Sequence, residues 1–270
     1  MKPFQSLTRR ALARLRPPAP APTPQAPAPA PSALDNVEYN RFLWDKYARE
    51  WDKQKVLIEK SGSMTPEERE RYLQLVGDEW GNPADLQRII EEYIQPFVDT
   101  NAVAAEIGSG GGRVASRVAP IVGKLYCFDI STEMLAKAKA ALSEQANVQF
   151  MLLHQPSFPP EFGGTLDFVY SFDVFVHLDL HTIWKYLNEI RRVLKDSGLA
   201  FLHTSNLRAP QGWKLFTSED RYSVEGHYFV IPEMVQLLVD RAGLRLVKES
   251  TIDSSNFYFY RDYLFVVAKR

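Results

Sequence analysis

From residue 99 to its end, the chain alternates short apolar runs with longer amphipathic stretches. The amphipathic stretches repeat apolar residues every three or four positions, as helices do, whereas the short runs have the length of strands buried on both faces. The apolar runs cover residues 102–107, 124–130, 148–153, 166–172 and 198–203, and the helical patterns cover residues 111–119, 132–145, 179–195 and 232–242. This alternation predicts an α/β fold, in which helices cover both faces of a parallel sheet.

Helical patterns also precede the first predicted strand. Four residues, three of them aromatic, share one face of the first helix: Trp44, Tyr47, Ala48 and Trp51. This face indicates either simple packing or an aromatic lid over a ligand. Thr65 and Asn82 each precede a proline and so resemble helix N-termini. Residues 34–98 are therefore predicted to form a helical cap.

The first 33 residues differ in composition from the rest. Residues 1–16 hold five basic residues and no acid, and residues 17–31 hold eight of the 18 prolines. Prolines at this density exclude helices and sheet ladders. We therefore expect a disordered basic and Pro/Ala-rich tail over 1–33, a helical cap over 34–98 and a main domain over 99–270. The basic segment fits a helix in peripheral contact with a membrane, a transit-like leader or a solvated tail.

Composition and charge narrow the classes of function. Hydrophobic residues make up 45% and charged residues 24% of the 270-residue chain, as in ordinary globular proteins. A formal net charge of −1 argues against nucleic acid as a partner. The single cysteine, Cys127, excludes an internal disulfide and a cysteine-based metal cluster. No apolar stretch is long enough to span a membrane, so we expect a cytoplasmic protein, with peripheral membrane contact as a further alternative.

Residues of chemical interest follow the ends of the predicted strands. They are Glu106 with the glycines after it, Asp129, His154 with Gln155, Ser171 with Phe172, and His203 through Asn206. The carboxyl ends of parallel strands meet at one edge of a sheet, and ligands of such sheets bind there. The sequence therefore predicts a site at this edge.

The first of these strands runs into a glycine-rich loop, AAEIGSGGGRVA. Glu106 is followed by a glycine at every second position, namely Gly108, Gly110 and Gly112. A turn without Cβ atoms lets a ligand approach the backbone, and it directs the N–H groups of the next helix toward an anionic group. The dinucleotide fingerprint requires a further glycine where this chain has Arg113. The loop therefore predicts a nucleotide-like ligand, with an NAD-dependent oxidoreductase as the less favoured alternative.

A second acid, Asp129, ends the next predicted strand. A carboxylate at that place can accept hydrogen bonds from both hydroxyls of a ribose, each contributing about 1.5–3 kcal/mol. Asp129 is alternatively a turn or capping residue. Ser131 follows it as the expected N-cap of a helix, and Cys127 is expected to pack inside the strand.

Three segments resemble the signature segments of class I S-adenosylmethionine-dependent methyltransferases of a small-molecule, bacterial type. They are EIGSGGGR, CFDISTEML and LDFVYSFDVFVHLD. The resemblance covers residues 99–270 and implies S-adenosyl-L-methionine as the cofactor. It also implies a Rossmann-like sheet of seven mostly parallel strands with an antiparallel last strand, helices on both faces and an N-terminal helical extension.

The resemblance assigns roles to particular residues. Glu106 and the glycine turn would hold the methionine end of the cofactor, and Asp129 would bind its ribose. Ile130 and Met134 would flank the adenine. Where the family often has an acid for the adenine amine, this chain has His154 and Gln155, which we expect to take that role. The glycine turn consists of Gly108, Ser109, Gly110 and Gly112. The end of the fourth strand would form a wall under the sulfonium with Asp167, Ser171 and Phe172.

Methyl transfer from a sulfonium is an in-line displacement that depends mainly on alignment. A base is needed only when the acceptor must lose a proton, and histidine suits that role near neutral pH. His177 and His203 follow the fourth and fifth strands and are the candidate catalytic residues, each with a packing role as its alternative. His181 and His227 are weaker candidates. No metal-ligand spacing such as H-E-x-x-H occurs, and we expect no metal.

The acceptor is expected to be a small molecule, a sugar or a lipid-linked glycan, methylated on oxygen or nitrogen. The chain lacks the Asn/Asp-Pro-Pro-aromatic segment that the amino-methylating nucleic acid enzymes of this fold usually show. Two alternatives stay open at this point: the NAD-dependent oxidoreductase, and a binding protein that keeps the methyltransferase fold without turnover.

Overall fold

A computed structural model describes residues 35–52, 75–219 and 226–270. The helices there are α1 (Asn36–Glu50), α2 (Pro83–Tyr93), α3 (Ala115–Val118), α4 (Thr132–Ala141), α5 (Leu180–Val193), α6 (Pro210–Ser218), α7 (Pro232–Arg241) and α8 (Phe257–Arg261). The strands are β1 (Val103–Ile107), β2 (Lys124–Asp129), β3 (Val148–Leu152), β4 (Leu166–Tyr170), β5 (Leu194–Ser205), β6 (Leu244–Glu249) and β7 (Asp262–Lys269). The predicted tail over 1–33 and the predicted helix start at Thr65 lie outside the described residues.

The strands form one seven-stranded sheet in the order β3-β2-β1-β4-β5-β7-β6. β1 to β5 are parallel, whereas β7 runs antiparallel to both of its neighbours. The Rossmann-like sheet with an antiparallel last strand is thus confirmed. Strand order reverses at β1, since β2 and β4 lie on its two sides, and a ligand crevice forms at such a point.

The local sequence explains where most helices begin. Asp35, Asn82, Ser131 and Asp179 each accept a hydrogen bond from a backbone N–H in the first turn of the helix that follows. Such caps satisfy N–H groups that have no partner within the helix. The predicted helices therefore start close to their observed first residues, except for the helix after the glycine loop.

Side chains alternate between the two faces of the sheet and form two large apolar clusters. In β2, Phe128 packs into one cluster, whereas Leu125 and Cys127 pack into the other. Cys127 is fully buried, as expected, and burial raises the pKa of its thiol. Both faces are thus covered, which leaves the carboxyl edge of the parallel strands for function.

Helix α1 packs against the start of α4 and thereby lies over that edge. The Asp45 carboxylate accepts hydrogen bonds from the Ser131 hydroxyl at 2.6 Å and from the Glu133 N–H at 3.2 Å. The Arg41 guanidinium donates to the Ile130 carbonyl at 3.2 Å. In the part of the chain that the structure describes, no helix combines the length and apolar character needed to cross a membrane.

Candidate functional site

The loop after β1 is fastened to β2 by its own backbone. The N–H groups of Gly108 and Ser109 donate to the Phe128 carbonyl at 2.7 and 3.1 Å, and the Gly110 N–H donates to Asp129 Oδ2 at 2.8 Å. The predicted helix 111–119 is reduced to the four residues of α3. These three N–H groups of the loop are therefore bound within the protein, and the expectation that N–H groups of the following helix point toward an anion stays a prediction.

Three glycines of this loop have a positive φ, which a residue with a side chain adopts only at a cost, and they differ in what a Cβ would meet. Gly108 has φ +72°, and a Cβ there would lie 2.4 Å from Val174 Cγ2. Gly110 has φ +52°, and a Cβ there would meet no atom within 4 Å because the residue borders a cavity. Gly112, also predicted to hold the cofactor, packs instead against α4, where its Cβ would lie 3.4 Å from the Ala138 Cα.

The cavity beside this loop contains about 700 Å³ of free space, its open side included. Nine of the predicted site residues line it: Glu106, Gly108, Ser109, Gly110, Asp129, Ile130, Met134, Phe172 and His177. The structure thus brings together residues from the ends of β1, β2 and β4.

Asp129 is buried at the floor of this cavity. Its carboxylate accepts hydrogen bonds from the N–H groups of Gly110 and Ser131, each at 2.8 Å. Burial raises its pKa to about 6, although the hydrogen bonds from the backbone of Ser131, Gly110 and Ile130 oppose the shift. Each carboxylate oxygen can accept more than one hydrogen bond, so Asp129 retains capacity for a ligand.

Glu106 lies in the same cavity with 2% of its surface exposed. Burial raises the pKa of its carboxyl well above the usual range, and the nearby Asp129 carboxylate raises it further, while the Tyr170 hydroxyl acts in the opposite direction. A buried acid without a cationic partner favours a ligand that brings a positive charge.

Helix α1 and residues 76–80 close the cavity from above. Trp44 and Trp80 line it, with their ring centroids 5.6 Å apart. The Asn40 side-chain amide donates to the His177 carbonyl at 3.3 Å. Glu79 fixes this cover by accepting hydrogen bonds from Trp51 Nε1 at 2.8 Å and from the Tyr47 hydroxyl. The aromatic face of α1 thus packs and covers the site at once.

A second cavity shares part of its wall with the first and contains about 920 Å³ of free space, open side included. Four residues border both cavities: Trp44, Trp80, Asp173 and His177. Tyr47, His227 and Arg261 add aromatic and polar groups to the second cavity alone. The two spaces therefore meet at a junction that carries one carboxylate and one imidazole.

His177 lies at this junction in a defined tautomer. Its Nδ1 is 3.1 Å from the Gly226 carbonyl oxygen, which accepts hydrogen bonds and cannot donate them. Nδ1 therefore carries the proton, and Nε2 carries the lone pair. Burial lowers the pKa of His177, so the ring is neutral near neutral pH.

Asp173 has φ +57°, a left-handed conformation that is costly for a residue with a side chain. Three neighbours hold it. The Arg113 guanidinium donates to Asp173 Oδ2 at 3.0 Å, the Tyr258 hydroxyl lies 3.3 Å from the same oxygen, and the Asp173 N–H donates to His203 Nδ1 at 3.0 Å. Strained residues held in this way cluster at functional sites.

His203 is fully buried and borders neither cavity. Because its Nδ1 accepts from Asp173, its proton lies on Nε2, which is 2.9 Å from Asp262 Oδ2. Both ring nitrogens are thus engaged within the protein. We therefore correct the prediction that His203 is a catalytic base: it holds Asp173 in place.

Several other predicted residues lie away from the junction. His154 and Gln155 line a separate open groove, where the His154 carbonyl accepts a hydrogen bond from Arg41 at 2.6 Å, and this placement argues against the predicted adenine contact. The Ser171 hydroxyl donates to the Ile107 carbonyl at 3.0 Å. Asp167 lies at the opposite end of β4 and binds Lys195 at 2.7 Å, so its predicted place beside the sulfonium is wrong.

Three residues near the junction were not predicted from the sequence as site residues: Asp173, Arg113 and Arg261. Arg113 was noted only as a departure from the dinucleotide pattern, although it is buried and bound to Asp173 and Tyr258. Arg261 lies between Asp262, at 2.7 Å, and Asp173, at 3.7 Å. Two features of the sequence could have indicated these residues. One is the adjacent charged pair Arg261 and Asp262, and the other is the acid Asp173 directly after Ser171 and Phe172.

Comparisons with known proteins agree with this geometry. A family model described as a methyltransferase domain matches residues 104–198, from the start of β1 into β5. No curated protein sequence matches the chain significantly.

Three solved structures are similar to the chain. Magnesium protoporphyrin IX methyltransferase from Synechocystis PCC 6803, with bound S-adenosylhomocysteine, has a TM-score of 0.59 at 14% identity and covers 87% of this chain and 100% of its own. The PH0226 protein from Pyrococcus horikoshii OT3 has a TM-score of 0.57 at 18% identity, and the match covers 83% of this chain and 99% of that protein. The CcbJ methyltransferase from Streptomyces caelestis has a TM-score of 0.55 at 18% identity, and the match covers 74% of this chain and 95% of that protein.

At these identities the solved structures show a shared fold, and the family model identifies the domain that carries the glycine loop, both acids and His177. The comparisons reported above do not support the NAD-dependent oxidoreductase alternative. The family model thus identifies residues 104–198 as a methyltransferase domain, and the sheet order and the solved structures show that this domain has a Rossmann-like methyltransferase fold.

Proposed function

We propose that the chain binds S-adenosyl-L-methionine in the first cavity and methylates a small acceptor in the second. The observation that carries this proposal is the junction of the two cavities at Asp173 and His177. Methyl transfer requires donor and acceptor to lie on opposite sides of one point, and two joined cavities provide that arrangement.

The first cavity fits the cofactor on its own chemistry. The Ser109 hydroxyl is buried and has no hydrogen-bond partner among the described residues, although buried hydroxyls normally have one. Gly110 leaves open space where a Cβ would stand. Glu106 supplies a buried carboxyl group, and the cationic amino group at the methionine end of the cofactor would favour its ionised form.

The remaining contacts follow from the residues around this cradle. Asp129 would accept hydrogen bonds from the ribose hydroxyls. Its carboxylate is buried in the cavity and can still accept further hydrogen bonds, which supports this role. Ile130 and Met134 border the cavity beside it and offer apolar surface for the adenine. Met134 begins the buried face of α4, so its place is fixed by the Ser131 cap.

Bound there, S-adenosylmethionine would supply an electrophilic methyl group on a positively charged sulfur. The protein contributes alignment and the exclusion of water. Trp44 and Trp80 cover the junction and limit access of solvent to it. The Asp173 carboxylate borders the same junction, where it can accept a hydrogen bond from a hydroxyl or amine of the acceptor.

His177 would act as the base when the acceptor is a hydroxyl. Its Nδ1–H group is bound to the Gly226 carbonyl, so the lone pair on Nε2 can accept a proton. General bases of this kind contribute about 10²–10⁴-fold to a rate. An acceptor nitrogen that is already uncharged would need no base, and His177 would then orient it.

The second cavity supports a small acceptor. Its walls combine the rings of Trp44, Tyr47 and Trp80 with the polar groups of His177 and His227. A small molecule, a sugar or the end of a lipid-linked glycan fits such walls. Magnesium protoporphyrin IX methyltransferase, one of the similar structures, is named for a planar macrocyclic acceptor.

The test is a screen of candidate small acceptors with methyl-labelled donor, read by transfer of the label. We expect turnover with at least one phenolic, sugar or quinone-like acceptor. Asp129→Asn should reduce that turnover, whereas Asp196→Asn, which changes an exposed carboxylate, should not. If S-adenosylhomocysteine binds and no acceptor class is turned over, the binding-protein alternative is favoured. If the nucleoside does not bind, the proposal fails.

A further inference from the structure

A row of aromatic rings extends from the junction to the protein surface. His177 is followed by His227, with ring centroids 5.6 Å apart, and His227 is followed by Phe229 at 5.9 Å. Phe229 contacts Phe216 at 5.3 Å, and Phe216 contacts Trp213 at 5.5 Å. We call these rings, from His227 to Trp213, the aromatic track.

The outer rings of the track are unusually exposed. Trp213 exposes 55% of its surface and Phe216 exposes 41%. Within the described residues, no ring of the track belongs to either large apolar cluster of the sheet. Packing of these two large clusters therefore does not explain the row, and exposed apolar rings that continue into half-buried ones beside a cavity are typical of a binding site.

The inner end of the track carries an unused polar atom. His227 Nε2 is buried and has no hydrogen-bond partner in the part of the chain that the structure describes. Burial lowers the pKa of His227 to about 4, so the ring is neutral near neutral pH and can take a hydrogen bond. The Tyr228 N–H donates to the Val176 carbonyl at 2.7 Å, which fixes this segment beside the junction.

We infer that the acceptor is elongated and carries an aromatic ring system that lies along this track. The inference deepens the proposed function and rests on it, because the acceptor's reactive end is taken to lie at His177. Its middle would offer a polar group to His227 Nε2, and its distal rings would contact Phe216 and Trp213.

Polar groups along the outer track are occupied, which favours aromatic rings over sugars. The Thr217 hydroxyl donates to the Trp213 carbonyl at 3.1 Å, and the Ser218 hydroxyl donates to the Leu215 carbonyl at 2.7 Å. A sugar needs partners for its hydroxyls, whereas an aromatic ring needs apolar surface and edge-to-face contacts. The rings of Phe216 and Phe229 are inclined by 76°, which suits edge-to-face contact.

Three probes with the same phenol head test this inference: phenol, 4-phenylphenol and 4-hydroxyphenyl β-glucoside. Their affinities are measured by calorimetry on the full chain saturated with S-adenosylhomocysteine. We expect 4-phenylphenol to bind at least about tenfold more tightly than phenol, and more tightly than the glucoside. Phe229→Ala, which removes the track ring next to His227, should remove most of that gain and leave the affinity for phenol unchanged.

Leu237→Ala is the control, since Leu237 is an apolar residue that is 55% exposed and lies on α7, which contributes no ring to the track. Equal affinities of 4-phenylphenol for wild type and Phe229→Ala would overturn the track, as would an absence of 4-phenylphenol binding. Tighter binding of the glucoside would overturn the aromatic class. Because binding of S-adenosylhomocysteine is measured first, its failure identifies an error in the proposed function instead.

Discussion

Asp129 shows how much one side chain contributes at the scale of the residue. Its carboxylate lies in the cavity with hydrogen bonds from two backbone N–H groups and capacity for more. Asp129→Asn keeps the shape and removes the charge. We expect it to weaken binding of S-adenosylhomocysteine at least about tenfold near neutral pH, by calorimetry. Asp196→Asn is the control, and an affinity within about threefold of wild type would contradict the ribose assignment.

The raised pKa of Asp129 makes cofactor binding depend on pH. Burial brings this pKa to about 6, and the ionised form is the better acceptor for ribose hydroxyls. Affinity for S-adenosylhomocysteine should therefore fall as the pH is lowered through about 6. Titration calorimetry at several pH values measures this midpoint. Asp129→Asn should lose the midpoint, and its persistence in that variant would assign it to another group.

His177 separates base catalysis from binding. We expect His177→Gln to lower kcat at least about 100-fold for a hydroxyl acceptor, because the lone pair on Nε2 is lost. Binding of S-adenosylhomocysteine should change little. His181→Gln is the matched control, since His181 is exposed on α5. A kcat within about threefold of wild type would remove His177 as the base.

Single residues also mark the limit of what the sequence could predict. Glu106 and Asp129 lie at the carboxyl ends of β1 and β2, and His177 follows β4, so the rule that ligands bind at the carboxyl edge sufficed to find them. His203 follows a strand too, yet it faces Asp262, a partner from the distant β7. Which neighbours surround a side chain depends on the packed fold, and the local pattern does not contain that information.

At the scale of the element, the glycine loop offers a comparison between two glycines. Gly110 and Gly164 both have positive φ, +52° and +67°, and a Cβ at either would meet no atom within 4 Å. Gly110→Ala and Gly164→Ala should therefore lower the free energy of unfolding by similar amounts, about 1–2 kcal/mol, in urea titrations. We expect only Gly110→Ala to weaken binding of S-adenosylhomocysteine, because its Cβ enters the cavity. Equal binding by both variants would contradict the cradle.

Most element boundaries followed from local signals. Capping residues and buried apolar runs placed the helices and strands of the sheet close to their observed positions. The predicted helix 111–119 was too long for two reasons. Residues of the loop bind other parts of the fold, since Gly110 binds Asp129 and Arg113 binds Asp173. In addition, residues 119–121 form a 3₁₀ turn that contains Pro120. Tertiary contacts overrode helical periodicity at this place.

At the scale of the whole molecule, segments far apart in the chain complete the site. Residues of helix α1, of the segment 76–80 and His227 border the two cavities, yet they lie outside the sheet that the sequence motifs describe. Asn40 reaches the His177 carbonyl across 137 positions of sequence. The aromatic face of α1 indicated a lid or a packing surface, and only the assembled fold relates that face to His177.

This assembly predicts a global response to the cofactor product. A ligand that contacts the loop after β1, the end of β2 and the cover from α1 binds the folded protein alone, and therefore stabilises it. At about 100 times its Kd the gain is about 2.7 kcal/mol. For a domain of this size we expect the Tm to rise by about 5–10 °C with S-adenosylhomocysteine, measured by scanning calorimetry. Adenosine, which lacks the methionine end that Glu106 and Ser109 would hold, should raise the Tm less. An equal rise with both would show that these two residues make no contact with the ligand.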